Sequence, residues 1–415
     1  MPRYRSTRGG ESVSFEEALL RGLAPDGGLY VPDSIPHVDF SGDSFESMSA
    51  SVLEQWVGDE ITNIDDAVRD AFDFPVPLIP LGGGLHVVEL FHGPTLSFKD
   101  FGARMMARWM SRFLESRGED ITILVATSGD TGSAVADGFA GRERIRVVLL
   151  YPKGKVSPVQ ERQLIVKRPG VRALAVEGDF DDCQRMVKEA FLDPIPTQVN
   201  LSSANSINIG RLLPQMLYYI WAARLLASED VLFCVPSGNL GNLTGGVLAH
   251  LSGLPVHGFL AAHNANDFFP QFLSRGDAAF APTKATLSNA MDVGAPSNFE
   301  RLKAMLTPAE MHTLITGESV SDEETLQSMR RIFDEFGYVA DPHTAVALEA
   351  VHRIEAPGPV AVLSTAHPAK FPETVREALG FEPEYPPRLA ELWEREVEVE
   401  TVAPTLEALR ERLLL

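Results

Sequence analysis

The sequence predicts an α/β fold in which mostly parallel sheets are covered by helices. Short apolar segments rich in β-branched residues alternate with helical patterns along most of the chain. Two of these segments lead directly into loops of Gly, Ser, Asn and Asp that open a helix. The length of 415 residues favours at least two lobes rather than one domain.

Residues 1–75 are expected to form a separate, mainly helical unit. Ser14 followed by Glu17 is a capping-box signature, and the helix it opens should end before Gly22. The proline-rich segment 74–80 then forces extended chain and marks a boundary.

Strand-like segments follow from residue 85 onward. They cover 87–91, 121–126, 145–151, 171–176, 231–235, 256–262 and 360–363. The alternation predicts a larger lobe from 76–100 with 195–380, a smaller α/β lobe over 101–194, and a helical, acidic C-terminal segment over 381–415. Because ligands of such folds bind at the carboxyl ends of strands, the site is expected there.

Lys99 is the first candidate for chemistry. It lies in a loop of small and aromatic residues, just before an amphipathic helix predicted over 102–116. The positive end of that helix and burial among Phe91, Phe98 and Phe101 both favour loss of the amine's charge. A neutral lysine can attack an aldehyde and hold it as a Schiff base. The alternative is a surface lysine at a helix start.

Two glycine-rich loops lie where a strand meets a helix. Residues 127–133 read Thr-Ser-Gly-Asp-Thr-Gly-Ser, and residues 236–242 read Pro-Ser-Gly-Asn-Leu-Gly-Asn. Glycine lets the backbone approach a ligand closely, and the free amides of a helix start offer donors to an anion. One such loop is weak evidence, but two loops with a Schiff-base lysine indicate a cofactor that carries an aldehyde and a phosphate. Pyridoxal 5′-phosphate carries both.

Composition excludes several classes of function. A net charge of −21 argues against sequence-general nucleic-acid binding. No apolar segment approaches the roughly 20 residues that span a bilayer, and the N-terminus lacks a secretion signal, so no membrane partner is expected. Cys183 and Cys234 are the only cysteines, which favours a reducing cytoplasm over a disulfide framework. Cys234 is interpreted as a core residue of an apolar strand.

A series of ordered motifs resembles those of the threonine synthase family, whose members are pyridoxal-phosphate enzymes with the fold of tryptophan synthase β. The similarity runs nearly from end to end and implies the fold called PLP fold type II. The motifs occupy residues 6–9, 26–32, 92–100, 126–133, 205–211, 237–242 and 364–371.

The resemblance implies a role for each cofactor-binding residue. Lys99 would form the Schiff base, and Thr365 would offer its hydroxyl to the pyridine nitrogen. Asp130 would contact the 3′-oxygen, where relatives of this fold often carry asparagine and where an acid repels a phenolate unless a proton is shared. The cofactor phosphate would be bound by the amides of Gly238, Asn239, Leu240, Gly241 and Asn242.

The same resemblance implies a reaction that converts O-phospho-L-homoserine and water into L-threonine and phosphate, in a monomer or homodimer. Lys99 would serve as the general base. Asn205, Ser206 and Arg211 would bind the substrate phosphate, as suits the planar donor fork of arginine. A second group would hold the substrate carboxylate or its phosphate: Thr127, Ser128, Gly129 and Thr131.

Several alternatives stay open at this point. Arg211 is also compatible with a surface ion pair, and Asn205 with Ser206 is compatible with capping a helix over 211–226. His92 and His367 are interpreted as ring-stacking or supporting groups rather than acids or bases. The alternative reaction is that of a phospho-lyase or dehydratase on a related phospho-amino acid, which would release a keto acid. A non-catalytic binding protein is the alternative from another class.

Overall fold

The computed structural model describes residues 2–192, 199–356 and 358–413, and it confirms the predicted α/β class. The fold contains two mostly parallel sheets and, in the N-terminal unit, a separate small antiparallel sheet. The strands in chain order are β1 (Tyr4–Ser6), β2 (Gly9–Val13), β3 (Tyr30–Pro32), β4 (Leu78–Gly82), β5 (Leu85–Glu89), β6 (Ile121–Ala126), β7 (Ile145–Pro152), β8 (Val171–Val176), β9 (Leu201–Ser202), β10 (Leu232–Pro236), β11 (Gly258–His263), β12 (Ile315–Ser319), β13 (Val360–Ser364) and β14 (Glu400–Val402).

Helices connect and cover the strands, and none of those described is long and apolar enough to cross a bilayer. Short 3₁₀ segments occupy Gly58–Glu60, Leu213–Met216, Asn289–Met291 and Pro368–Lys370. The α-helices are α1 (Phe15–Arg21), α2 (Phe45–Val57), α3 (Ile64–Ala71), α4 (Lys99–Arg117), α5 (Asp130–Phe139), α6 (Pro158–Ile165), α7 (Phe180–Leu192), α8 (Ile209–Leu212), α9 (Leu217–Leu226), α10 (Gly241–Leu251), α11 (Phe268–Arg275), α12 (Phe299–Met305), α13 (Pro308–Leu314), α14 (Asp322–Phe336), α15 (Pro342–His352), α16 (Pro372–Leu379), α17 (Pro387–Glu391) and α18 (Leu406–Leu413).

The larger sheet has the strand order β12-β11-β10-β13-β5-β4, and only the β4–β5 pair is antiparallel. Every residue of β10 is buried, which explains why its sequence is continuously apolar instead of alternating. Cys234 lies in this strand with its Sγ 3.3 Å from the Ala347 carbonyl oxygen. Burial raises the pKa of its thiol, so Cys234 is the core residue that the sequence predicts.

The smaller sheet is parallel throughout, in the order β14-β8-β7-β6-β9. The predicted domain limits stay a prediction. β9 lies in the range predicted for the larger lobe, but it pairs with β6 of the smaller sheet. β14 lies in the C-terminal range predicted to be helical, but it pairs with β8 of the same sheet. Both strands are too short to leave a recognisable pattern in the sequence.

Residues 1–75, which are expected to be mainly helical, contain α1, α2 and α3 together with the antiparallel sheet β2-β1-β3, which the sequence pattern does not predict. Ser14 caps α1, because its Oγ accepts a hydrogen bond of 3.1 Å from the Glu17 amide. The free amides of Phe15 and Glu16 donate instead to the carboxylate of Glu60. A distant acid therefore completes the cap.

An aromatic cluster joins the N-terminal unit to the first turn of α4. The fully buried ring of Phe101 lies 5.9 Å from Phe45, 5.6 Å from Phe72, 5.1 Å from Phe74 and 5.2 Å from Tyr218, measured between ring centroids. These distances are in the range of favourable aromatic pairs. The cluster therefore anchors α4 close to Lys99, where that helix begins.

Replacing this anchor should be costly. We expect Phe101→Ala to lower the free energy of unfolding by about 3–5 kcal/mol, since it leaves a cavity among four rings. Leu225→Ala is the control, because Leu225 is 47% exposed, and its effect should stay within about 0.5 kcal/mol. Urea denaturation compares the two variants, and an equally small loss for both would contradict the anchoring role.

Candidate active site

One cavity of about 370 Å³ lies where the carboxyl ends of β6, β10 and β13 meet the first turn of α4. Ligands of α/β folds bind at this edge of a sheet. Gly129 alone among the predicted site residues does not line it; this glycine has a φ of +136° and turns the chain into α5. The predicted site residues that line it are Lys99, Thr127, Ser128, Asp130, Thr131, Asn205, Ser206, Arg211, Gly238, Asn239, Leu240, Gly241, Asn242 and Thr365.

Lys99 is the first residue of α4, and its loop is tied to the segment that follows β13. The Phe98 amide donates to the Thr365 carbonyl at 2.9 Å, and the His367 amide donates to the Leu96 carbonyl at 3.1 Å. These bonds hold the lysine and Thr365 on neighbouring strands of backbone. Lys99 and Thr365, which are the first and last of the predicted site residues in the sequence, are thus fixed relative to each other.

The loop before Lys99 is fixed by Asp100, which is fully buried. Its carboxylate accepts hydrogen bonds from the Thr95 amide at 2.8 Å and from the Thr95 hydroxyl at 2.6 Å. Burial raises the pKa of Asp100 to about 6. Asp100, which follows Lys99 in the sequence, therefore stabilises the conformation of this loop.

The charge state of Lys99 is set by its surroundings. Burial lowers the pKa of its amine to about 8; the Asp130 carboxylate opposes this shift, and the charges of Arg211 and Lys370 add to it. The Phe98 ring centroid lies 5.9 Å from Nζ. Phe101, by contrast, packs in the aromatic cluster. The prediction of a lysine with a lowered pKa is confirmed, but the aromatic environment differs from the one expected.

His92 and His367 lie beside this loop and support it. The Phe91 ring packs edge-on against His367 at 5.2 Å and lies 4.9 Å from His92. His92 also contacts the Glu89 carboxylate at 2.7 Å, and His367 Nδ1 accepts from the Ala369 amide. Burial lowers the pKa of His367 to about 4. The stacking interpretation of both histidines is confirmed.

The loop Gly238–Asn242 presents a row of free donors. None of its backbone amides donates a hydrogen bond to another described residue. Leu240 takes a left-handed conformation with a φ of +59° immediately before α10. A side chain at Gly238 would place Cβ only 2.7 Å from Met291 Cα, so glycine is required by close packing. Unpaired amides at a helix start form an anion site.

Asn242 continues this row with its side chain. Its Oδ1 accepts hydrogen bonds from the hydroxyls of Tyr218 at 2.6 Å and Tyr219 at 2.8 Å. Its buried Nδ2 has no partner among the described residues. Since buried polar atoms are normally paired, this side-chain amide nitrogen is a further donor available to a ligand of the cavity.

Arg211 is a buried cation that lines the same cavity. Its guanidinium donates to the carbonyls of Ala204 and Lys99, and its Nε has no partner among the described residues. No described carboxylate forms an ion pair with it. Burial lowers the pKa of the guanidinium to about 10, so the group stays positively charged near physiological pH. The alternative of a surface ion pair is therefore wrong, because Arg211 is 2% exposed.

Asn205 and Ser206 lie beside Arg211 and do not cap a helix. Asn208 does so instead, since its side chain accepts from the Gly210 amide at 2.9 Å. Asn205 donates to the Ala126 carbonyl at 3.1 Å, while its buried Oδ1 lacks a partner. The capping alternative is thus wrong, and the expected helix over 211–226 is in fact α8, a 3₁₀ turn and α9.

The turn after β6 exposes backbone donors to the same cavity. Thr127 Oγ1 accepts from the amides of Gly129 at 3.0 Å and Gly132 at 2.8 Å, so this hydroxyl shapes the turn from within. The amides of Ser128, Asp130 and Thr131 donate to no other described residue. They form a second set of free donors at the start of α5.

Asp130 forms a buried ion pair that the sequence did not reveal. Lys370 Nζ lies 2.7 Å from Asp130 Oδ1 and donates to the Thr95 carbonyl at 2.9 Å, and both side chains are almost fully buried. Gln160 adds a hydrogen bond of 3.0 Å to the same oxygen. Burial alone would raise the pKa of Asp130, but Lys370 and Lys99 hold it well below its usual range. The aspartate is therefore a neutralised anion.

His343 is another lining residue that sequence reasoning missed. Its Nδ1 lies 2.7 Å from the Asp341 carboxylate, and its Nε2 accepts from the Ala290 amide at 3.1 Å. An Nε2 that accepts cannot carry a proton, so the ring is the neutral tautomer with hydrogen on Nδ1. Asp341 also caps the start of α15, where Pro342 and His343 follow it. This sequence pattern indicates a helix cap, but it does not indicate that His343 lines the cavity.

These features fit the cofactor that the sequence predicts. The free backbone amides of the loop Gly238–Asn242 and the unpaired Nδ2 of the Asn242 side chain suit a phosphate. The amine of Lys99 suits an aldehyde. Thr365, buried at the edge of the cavity, suits a ring nitrogen with its neutral hydroxyl. The donor set of the site therefore matches pyridoxal 5′-phosphate.

Three family models match the chain in consecutive parts. Residues 75–365 match the model "Pyridoxal-phosphate dependent enzyme", residues 3–72 match "Threonine synthase N terminus", and residues 344–412 match "Threonine synthase, C-terminal". The first model covers most of the predicted lobes and of the site.

Individual relatives agree with these models. The chain is 42% identical to threonine synthase of Escherichia coli K12, with 94% of each chain covered. It resembles crystal structures of PLP-bound threonine synthase from Brucella melitensis (TM-score 0.94, 35% identity, 100% and 99% covered) and of threonine synthase from Escherichia coli (TM-score 0.92, 41% identity, 99% of each covered). The chain belongs to the threonine synthase family of pyridoxal-phosphate-dependent enzymes.

Proposed function

We propose that this protein converts O-phospho-L-homoserine and water into L-threonine and phosphate, as a carbon–oxygen lyase that depends on pyridoxal phosphate. One observation carries the proposal. A single cavity is lined by a lysine with a lowered pKa, by the free amides of Gly238–Asn242 and by the Arg211 guanidinium, which forms no ion pair with a described carboxylate and has an unpaired Nε. A reaction with one permanent and one departing phosphate needs both of these anion-binding groups.

We assign the cofactor to one side of the cavity. Lys99 would hold its aldehyde carbon, the loop Gly238–Asn242 its phosphate, and Thr365 its ring nitrogen, with Asp130 near the 3′-oxygen. The pairing of Asp130 with Lys370 supports this place for an acid, because the ammonium offsets the repulsion between the carboxylate and a phenolate. When bound, the cofactor supplies an electron sink that eases removal of the substrate's Cα proton.

We assign the substrate to the other side. Arg211, Asn205 and Ser206 would bind the phosphate that leaves, through the unused Nε of the guanidinium and the neighbouring side chains. The turn that contains Thr127, Ser128, Gly129 and Thr131 would bind the substrate carboxylate through its free amides.

Lys99 is proposed to move protons once its amine is free. A pKa of about 8 leaves a substantial neutral fraction near physiological pH, and a neutral amine accepts the Cα proton. Arg211, whose charge helps to lower this pKa, would also stabilise the departing phosphate. One charge would therefore serve both the base and the leaving group.

The direct test is incubation of the purified holoprotein with O-phospho-L-homoserine, while threonine and inorganic phosphate are both quantified. We expect equal amounts of the two products. Phosphate accompanied by a keto acid without threonine would establish the phospho-lyase alternative, and absence of phosphate release would exclude both reactions.

Replacing the lysine separates chemistry from binding. We expect Lys99→Ala to reduce turnover by at least roughly 10³-fold, because no other group supplies the amine. Borohydride reduction followed by peptide mapping should place the reduced cofactor on Lys99 in the unmodified protein and on no residue of the variant. Lys153→Ala, at an exposed lysine, is the control and should retain activity. Turnover by the Lys99 variant at the control level would refute the assignment.

The charges around Lys99 predict opposite pH shifts for two variants. Only the neutral amine attacks an aldehyde, so covalent capture of pyridoxal 5′-phosphate by the apoprotein should accelerate with pH and level off above about 8. Lys370→Met removes a positive charge, which raises the pKa of Lys99 and moves this inflection to higher pH. Asp130→Asn removes a negative charge and moves it to lower pH. Capture rates measured across pH check both, and shifts in the same direction would contradict this account.

A further inference from the structure

Arg301 is a fully buried arginine that lies outside the cavity. It is the third residue of α12 and is 1% exposed, and no described carboxylate forms an ion pair with it. A buried guanidinium without an acid is costly unless its donors are satisfied. Where its hydrogen bonds go therefore shows what this residue is retained to hold.

The guanidinium donates to three carbonyls in two separate segments of backbone. Nε donates to the Tyr30 carbonyl at 2.9 Å in β3, Nη1 donates to the Ser206 carbonyl at 3.2 Å, and Nη2 donates to the Ile207 carbonyl. Ser206 lines the cavity beside Arg211. The N-terminal unit is thereby fastened to the loop that carries the proposed substrate-phosphate residues.

Asn298 extends this network to the other anion site. Arg301 Nη1 donates to Asn298 Oδ1 at 2.7 Å, and Asn298 Nδ2 donates to the carbonyls of Ser206 at 3.3 Å and Asn239 at 3.0 Å. The Asn239 side chain in turn donates to Ser206 Oγ. The loop around Ser206 and the loop Gly238–Asn242 are thus cross-linked through one asparagine whose own orientation Arg301 fixes.

We infer that Arg301 is a positioning residue that holds the two anion-binding loops of the cavity at a fixed separation. A lysine in its place would keep the charge but not the planar fork that reaches the three carbonyls and the Asn298 amide together. Because each anion site depends on donors held in fixed positions, small shifts of these loops should appear as weaker binding of both phosphates.

The test compares Arg301→Met and Arg301→Lys with Arg108→Met. Arg108 is also a buried arginine, at 7% exposed, and its bonds to Asp70 and to the Arg104 and Gly138 carbonyls do not involve the cavity. We expect the Arg301 variants to raise both the Kd of the apoprotein for pyridoxal 5′-phosphate and the KM for O-phospho-L-homoserine by about 10–100-fold, with a smaller change in kcat. Arg108→Met should lower the thermal midpoint and leave both constants unchanged.

Two further outcomes decide the inference. Asn298→Ala should reproduce the effect on both constants, and Arg301→Lys with Asn298→Ala should be no worse than the more severe single variant, since both act through one network. A lower thermal midpoint with unchanged Kd and KM in the Arg301→Lys variant would overturn the inference, as would strict additivity. The KM measurement rests on the proposed function. The cofactor Kd does not, so an inactive unmodified protein would refute that function and still leave Arg301 tested.

Discussion

The site depends on positive charge that is buried without a full set of acidic partners. Arg211 forms no ion pair with a described carboxylate, and the charge of Asp130 acts on both Lys370 and Lys99. Such a surplus is unfavourable in an empty cavity and favourable once anions enter it. It also disfavours a proton on Lys99, so the charges proposed to attract phosphate also lower the pKa of that amine. The net charge of −21 does not oppose this, because distant surface charges are screened beyond about 8 Å.

Asp130 sets the balance within this surplus. Without it, Lys370 would be an isolated buried ammonium, and the pKa of Lys99 would fall further. With Lys370 and Gln160 both donating to the same oxygen, the carboxylate is fixed in orientation and stays ionised. An aspartate at this place is therefore not a defect relative to the asparagine of other relatives of the fold. It is one half of a pair whose other half lies in a loop far along the chain.

The parts of the fold that were predictable from sequence are those whose pattern is local. β6 and β8 were predicted to the residue, because buried parallel strands are short apolar segments bounded by turns. β9, β14 and the antiparallel sheet of the N-terminal unit were not, since two or three paired residues leave no periodicity. Their positions are decided by the neighbouring strands that they join.

The site divides in the same way. Residues of the glycine-rich loops and Lys99 were found because each lies at the junction of an element, where the chemistry and the local pattern coincide. Lys370, His343 and Arg301 were not, because each acts through contacts with segments 53 to 275 residues away. Asn208 shows the limit within a single motif: its side chain caps α8, while Asn205, three residues earlier, leaves an oxygen unpaired toward the cavity. Only packing separates these two roles.

The two anion sites differ in construction, and the difference matches what each is proposed to do. The loop Gly238–Asn242 offers neutral backbone amides and one amide side chain, and it is held by rigid contacts to Met291 and two tyrosines. Such a site suits the phosphate that is proposed to stay in place throughout the reaction. The site around Arg211 adds a full positive charge, which gains most when negative charge develops on a departing group. A cavity with a charged site on the substrate side and a neutral one on the cofactor side therefore favours loss of the substrate phosphate while it retains the other.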